Sequence, residues 1–156
     1  MTENNEGISF PVRQVIELLE NEPELLAIAF DQPLKFHARF ANLAIGQAHL
    51  LLLNELETEL YVLEVVPSEA TAEDIGRLLA YMGWLDKTLV NIPPEQTLAG
   101  LSSWCGSGSF EKLRGIKGIL LACSFSESAR CAASGCPKLC MRRYSFSLKI
   151  VAGDEG

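Results

Sequence analysis

Ala48-His-Leu-Leu-Leu-Leu-Asn-Glu-Leu-Glu-Thr-Glu-Leu-Tyr-Val-Leu-Glu-Val-Val66 is the stretch on which the fold turns. Its two runs, 48–53 and 60–66, are apolar almost without interruption. That is the pattern of strands covered on both faces, not of strands with one wet side. The intervening Asn54-Glu-Leu-Glu-Thr-Glu59 is polar and reads as a hairpin turn, and Pro67 ends the second run. Two polar residues interrupt the apolar runs: His49 opens the first and Glu64 lies inside the second. Burying a carboxylate costs on the order of several kcal/mol unless it is paired, hydrogen-bonded, metal-bound or protonated, so Glu64 needs a reason to be there. In a hairpin, positions 49 and 64 become near-opposite neighbours that can point into one pocket.

Upstream, Leu34, Phe36, Ala38 and Phe40 alternate with Lys35, His37 and Arg39, which predicts a half-exposed strand with His37 on its surface. Before it, Pro11 opens a helix whose Val12, Val15, Ile16, Leu18 and Leu19 form a broad apolar stripe. Asn21-Glu-Pro23 interrupts that helix, and Leu25-Leu26 begins another short turn. Downstream, Thr71-Ala-Glu-Asp74 has the form of an N-cap with an acidic first turn. Ile75, Leu78, Leu79, Met82, Leu85 and Leu89 then repeat at helical spacing and predict a helix over 72–89, stopped by Pro93-Pro94. Residues 91–115 form a long connection that carries Ser102-Ser-Trp-Cys-Gly-Ser-Gly-Ser109, with a further turn expected near 95–101. A buried strand follows at 116–122, a short helix at 125–133, and a last strand at 139–151 with Tyr144, Phe146, Leu148 and Ile150 on one face. The expected organisation is one domain over 10–151, with tails at 1–9 and 152–156.

The 156 residues are 48 % apolar and 21 % charged, enough to bury one core of ordinary size. No apolar run approaches the ~18 residues of a membrane span, and the polar, acidic N-terminus lacks the features of a secretory signal. A cytoplasmic, membrane-free domain is therefore expected. Five cysteines, an odd number, then stay as free thiols. Cys131, Cys136 and Cys140 lie close together, yet their spacing is not that of paired zinc knuckles and neither histidine is nearby. They read as small buried hydrophobes beside a helix and in a strand; a thiol or metal site is the other reading.

The net charge of −7 argues against a general nucleic-acid binder. It hides an asymmetry: residues 1–110 carry 5 basic and 16 acidic side chains, whereas residues 111–150 carry 8 basic and 2 acidic ones. Lys117, Lys138, Arg142 and Arg143 in that second segment are candidates for phosphate contacts. The alternative is a sheet edge whose cations discourage pairing with other edges. Trp84 falls near the core stripe of its helix; Trp104, in the long connection, is the better candidate for a partner contact.

Val15 to Leu26, the hairpin, Ala70 to Trp84, Leu113-Arg-Gly-Ile-Lys-Gly-Ile-Leu-Leu-Ala122 and Tyr144-Ser-Phe-Ser-Leu148 together resemble the nuclease domain of NucS/EndoMS-type endonucleases. The likeness covers nearly the whole chain. It implies a restriction-endonuclease-like PD-(D/E)XK α/β core, a mixed central sheet flanked by helices. In that family an Asp and the Glu of a Glu-x-Lys pair hold Mg²⁺, the Lys positions the attacking water, and a Gln commonly follows on the helix. Carried over residue by residue, Glu64 matches the Glu. His49 stands at the Asp position, Val66 at the Lys position and Arg77 at the Gln position. Imidazole is a poor Mg²⁺ ligand, Val66 cannot orient water, and Arg77 adds positive charge where a cation should bind. The resemblance thus implies a pseudo-nuclease that needs no cofactor and binds DNA or a protein partner, with a homodimer compatible with family habit. Against it stands an active Mg²⁺- or Mn²⁺-dependent endonuclease rebuilt around Glu64, with carboxylates recruited from Glu55, Glu57 and Glu59, or with His49 and Glu64 holding a softer ion such as Mn²⁺ or Zn²⁺. No phosphate-binding glycine loop and no nucleophile elbow is present.

Overall fold

The computed structural model describes residues 10–90 and 112–145. Their core is a mixed five-stranded sheet covered by helices on both faces. β1 (Leu34–Leu43), β2 (Gly46–Asn54) and β3 (Glu59–Val65) form an antiparallel meander. β5 (Gly115–Ala122) and β7 (Leu139–Arg143) then add in parallel, in the spatial order β1-β2-β3-β5-β7. The hairpin register runs from Leu50 opposite Leu63 to Leu53 opposite Leu60. The turn is held by Asn54, whose Oδ1 accepts from the backbone N–H groups of Thr58 and Glu59 at 2.8 and 3.0 Å.

Two parallel crossovers stepping the same way across a sheet place their helices on one face. α3 (Ala72–Leu85) and α4 (Glu127–Ala133) accordingly pack together over Leu51, Leu53, Leu60, Val62, Ile116 and Leu120. Asp74 caps α3 by accepting the Thr71 N–H at 2.8 Å, and Ser126 caps α4 by accepting the Ala129 N–H at 3.0 Å. α1 (Phe10–Asn21) and α2 (Glu24–Phe30) cover the other face, over Leu50, Leu52, Leu63, Ile119 and Leu121. β2 and β3 therefore bury side chains on both sides, as their unbroken apolar runs require.

Several local expectations change. In α1 the buried face is Val12, Val15, Ile16 and Leu19, while Leu18, which falls off the i, i+3, i+4, i+7 spacing, is 44 % exposed. Leu25-Leu26 starts not a single turn but the seven-residue α2, which ends at Asp31 in the left-handed conformation. β1 runs on to Leu43, and a bulge at His37 breaks the simple alternation, leaving Phe36 exposed and His37 half-buried. The long helix stops as an α-helix at Leu85, and its last expected turn widens into a π-helical one, Asp86–Val90, which still buries Leu89. A two-residue parallel pair, β4 (Glu69–Ala70) with β6 (Ser124–Phe125), had no signal in the sequence. β7 ends at Arg143, and Tyr144 lies just past it. The expectations for the tails, for 91–111 including Trp104 and the Ser102–Ser109 stretch, and for residues 146–151 fall outside the described residues. No described helix is long and apolar enough to cross a membrane.

β5 passes so close beneath α3 that a Cβ on Gly118 would lie 2.5 Å from Met82 Sδ and 3.3 Å from the Leu78 side chain. Gly118→Val should lower unfolding stability by about 1–3 kcal/mol in urea denaturation. Gly118→Ala should cost less, because the Met82 thioether can swing aside.

Candidate functional site

The β2–β3 ladder stops one pair short of His49 and Glu64. On the other side of β2, the β1 register steps from Arg39–Leu50 to Ala41–Ala48, and Phe40, which would face His49, has φ 52°. No residue is registered opposite His49 on either neighbour. Side chains take over the missing rungs. The His49 backbone N–H donates to Glu64 Oε2 at 2.7 Å, and the Val65 N–H donates to His49 Nδ1 at 3.0 Å. The hairpin thus brings positions 49 and 64 together, as its pairing predicts, and each side chain bonds the other strand's backbone.

Glu64 is 2 % exposed and is the one buried charged or polar residue among the described residues. It points toward α3, where Arg77 Nε stands 3.9 Å from its Oε1. The Arg77 guanidinium is anchored by Asp74, with Nη2 2.8 Å from Oδ1. Burial drives the Glu64 carboxyl up to about 7; the His49 N–H and Arg77 oppose that rise and Asp74 adds to it. Burial, then the Arg77 charge, lowers the His49 imidazole to about 4. A neutral ring is what the hydrogen bonding requires, because Nδ1 must keep its lone pair to accept from Val65, which puts the proton on Nε2. The 3.9 Å approach of His49 Nδ1 to Glu64 Oε2 is therefore not an ion pair. Tyr81 lines the same region. Burial first and Glu64 second raise its pKa, and its hydroxyl lies 2.6 Å from where a Cβ on Gly46 would be.

Mg²⁺ takes hard oxygen ligands in near-octahedral geometry. The site offers one carboxylate, already bonded to a backbone N–H and facing a guanidinium, and an imidazole whose free nitrogen carries its proton. Val66 is buried in the core beneath α3; its N–H donates to Leu121 O at 2.7 Å and its carbonyl accepts from the Tyr144 hydroxyl at 2.8 Å. The donor set does not fit Mg²⁺. Glu57 and Glu59 stand at the turn end of the hairpin, salt-bridged to Lys35 and Lys117 at 2.7 and 3.0 Å, with Glu55 beside them. Among the described residues, no three His, Cys, Asp or Glu side chains group closely enough to hold a metal.

The cysteines do not converge either. Cys131 is exposed on α4, which corrects the buried reading; Cys136 packs into the core under α3, and Cys140 packs on the α1–α2 side. The basic residues separate as well. Lys117, Lys138 and Arg142 line a groove on the α1–α2 face, and Arg143 is exposed outside that groove. Trp84 is half-buried and packs against the α3-side core. Sequence reasoning missed Tyr81 and Asp74 as neighbours of Glu64; their i, i+3 and i, i+4 spacings to Arg77 were the available signal. It also missed Phe30, Gln32 and Tyr61 as groove residues, which come together from α2, the α2–β1 link and β3 only in the folded chain.

No protein-family model matches the chain, and no curated protein does. Solved structures do. The chain is similar to an EndoMS–dsDNA complex, with a TM-score of 0.61 and 16 % identity over 92 % of this chain and 49 % of that one. It is similar to a repair endonuclease from Pyrococcus abyssi, with a TM-score of 0.61 and 16 % identity over 89 % and 49 %. It is also similar to EndoMS in its apo form, with a TM-score of 0.58 and 18 % identity over 90 % and 48 %. The chain spans about half the length of these proteins, and likeness at such identities establishes a nuclease-like fold alone.

The pH dependence of stability tests the electrostatics. A carboxyl raised from 4.5 to about 7 binds more protons in the folded than in the unfolded chain between those values, so it makes stability fall as pH rises through that window. An imidazole lowered from 6.5 to about 4 binds fewer when folded, so stability is lost as pH drops from 6.5 toward 4. The two slopes oppose each other. Relative to the parent, Glu64→Gln should gain stability with rising pH across 4.5–7. His49→Asn, which keeps an acceptor for Val65, should lose stability relative to the parent with rising pH across 4–6.5. Each slope should stay below about 1.4 kcal/mol per pH unit in urea midpoints. Equal pH profiles for all three proteins would refute the assignment.

Proposed function

We propose that this is a nuclease-fold domain that binds nucleic acid and does not cut it at Glu64. The observation that carries the reading is the commitment of the Glu64 carboxylate: it accepts the His49 N–H and faces Arg77, so the position that would hold a metal already carries a cation. Val66 supplies no ammonium to place a water, and His49 supplies no oxygen. The fold likeness to DNA-repair endonucleases, one of them solved with DNA, supports nucleic acid as the ligand class. The cations of residues 112–145 supply the charge that such a ligand needs. The chemistry that remains at the sheet end is structural, and no metal cofactor is required for binding.

The test is cleavage and binding on the same substrates. Mismatched, branched and single-stranded DNA should remain intact with Mg²⁺ and with Mn²⁺. The same DNAs should bind at low salt, with affinity falling steeply between ~50 and ~200 mM salt. Cleavage by the parent that disappears in Glu64→Gln would make the domain an endonuclease rebuilt around Glu64. Absence of binding at low salt would leave a protein partner as the ligand.

A further inference from the structure

Resting on the nucleic-acid reading, we propose that the groove between the α2–β1 link and the start of β7 is a phosphate-binding site. It would take the backbone of a single nucleic-acid strand on the sheet face opposite Glu64. The groove encloses about 180 Å³. That is too small for the ~300–1,000 Å³ pockets that swallow whole ligands, but it suits a phosphate with its sugar passing through.

Its walls carry Lys117, Lys138 and Arg142, three cations in a chain of net charge −7. Their partners leave that charge largely uncompensated. Lys117 is bonded to Glu59 at 3.0 Å. Arg142 bonds only carbonyls, donating Nε to Ala29 O at 3.0 Å and Nη1 to Met141 O at 3.0 Å. Lys138 is exposed and has no carboxylate within salt-bridge distance among the described residues. Among the described residues, three positive charges therefore face one carboxylate. Two of the cations are also held in place. Lys117 lies 5.9 Å from the Tyr61 ring centre and Arg142 lies 5.9 Å from that of Phe30. The lining is mixed: the Gln32 amide donates to the Tyr61 hydroxyl at 2.7 Å, beside Ile119, Leu139 and Cys140. Two pre-positioned cations beside a third form an anion site that loses little side-chain entropy on binding. The nearby ladder bond from Gly118 N–H to Lys138 O, 3.0 Å, ties the start of β7 to the sheet, so the Lys138 backbone is fixed as well.

The experiment measures anisotropy of a labelled oligothymidylate at low salt with the parent, Lys138→Glu and Lys87→Glu. The last makes the same charge change at an exposed lysine beyond α3 on the other face. Lys138→Glu should weaken binding about tenfold or more and flatten the salt dependence, with Lys87→Glu within about twofold of the parent. Equal weakening by both variants would overturn the groove and leave only a diffuse field. Backbone amide shifts on titration separate the ligand sources. Shifts at Gly118, Lys138 and Gln32 with the oligonucleotide support the strand site. The same shifts with a 5′-nucleotide or inorganic phosphate, without oligonucleotide binding, would replace the strand by a free phosphate ligand. Oligonucleotide binding with shifts confined elsewhere would leave the nucleic-acid reading standing and remove the groove; no binding at all would remove both.

Discussion

The backbone N–H of His49 finds no strand opposite it, and the Glu64 carboxylate accepts its proton instead. Much else depends on that one hydrogen bond. A buried N–H left without an acceptor costs about 1–3 kcal/mol, and a buried carboxylate without partners costs more, so each group needs the other. Val65 and the His49 imidazole repeat the exchange in the opposite sense, and the imidazole must stay neutral for it to work. The sheet end is closed by two side chains that a simple strand pair would have left out.

This arrangement explains how a charged residue is accommodated in an otherwise apolar strand. Against the cost of burial, the Glu64 carboxylate is held by the His49 N–H and by Arg77. Arg77 in turn depends on Asp74, which also caps α3. Helix start, guanidinium and buried carboxylate form one connected chain of contacts, and removing its middle member disturbs both ends. The opposite face follows other rules. There the charges lie at least partly open to solvent, with Glu59 on Lys117 and backbone carbonyls on Arg142, and they are carried by β5, by β7 and by the residue before β7.

The element order was largely legible because hydrophobic periodicity reports burial directly. The 48–66 stretch announced two strands covered on both faces, and the Ile75–Leu85 spacing announced α3. What stayed hidden were features set by neighbours. The bulge at His37 and the positive φ at Phe40 arise where β1 bends past β2, and no local residue pattern encodes that. The length of α2, expected as a short turn, escaped because Leu25 to Phe30 is apolar all round and too short for its period to show.

At the site, the sequence by itself determined that Glu64 would be buried and that His49 would be near it, since hairpin pairing makes positions 49 and 64 neighbours. It also determined that Val66 and Arg77 lack the chemistry for handling Mg²⁺. Tertiary structure alone decided what Glu64 does there, because the acceptor it provides answers a gap in the ladder that exists only once β1, β2 and β3 are packed. It also decided that Lys117, Lys138 and Arg142 share one groove while Arg143 stands outside it and the three cysteines scatter. Proximity along a chain says little about which face of a sheet a side chain occupies. That is settled by strand register and by where each connecting helix crosses.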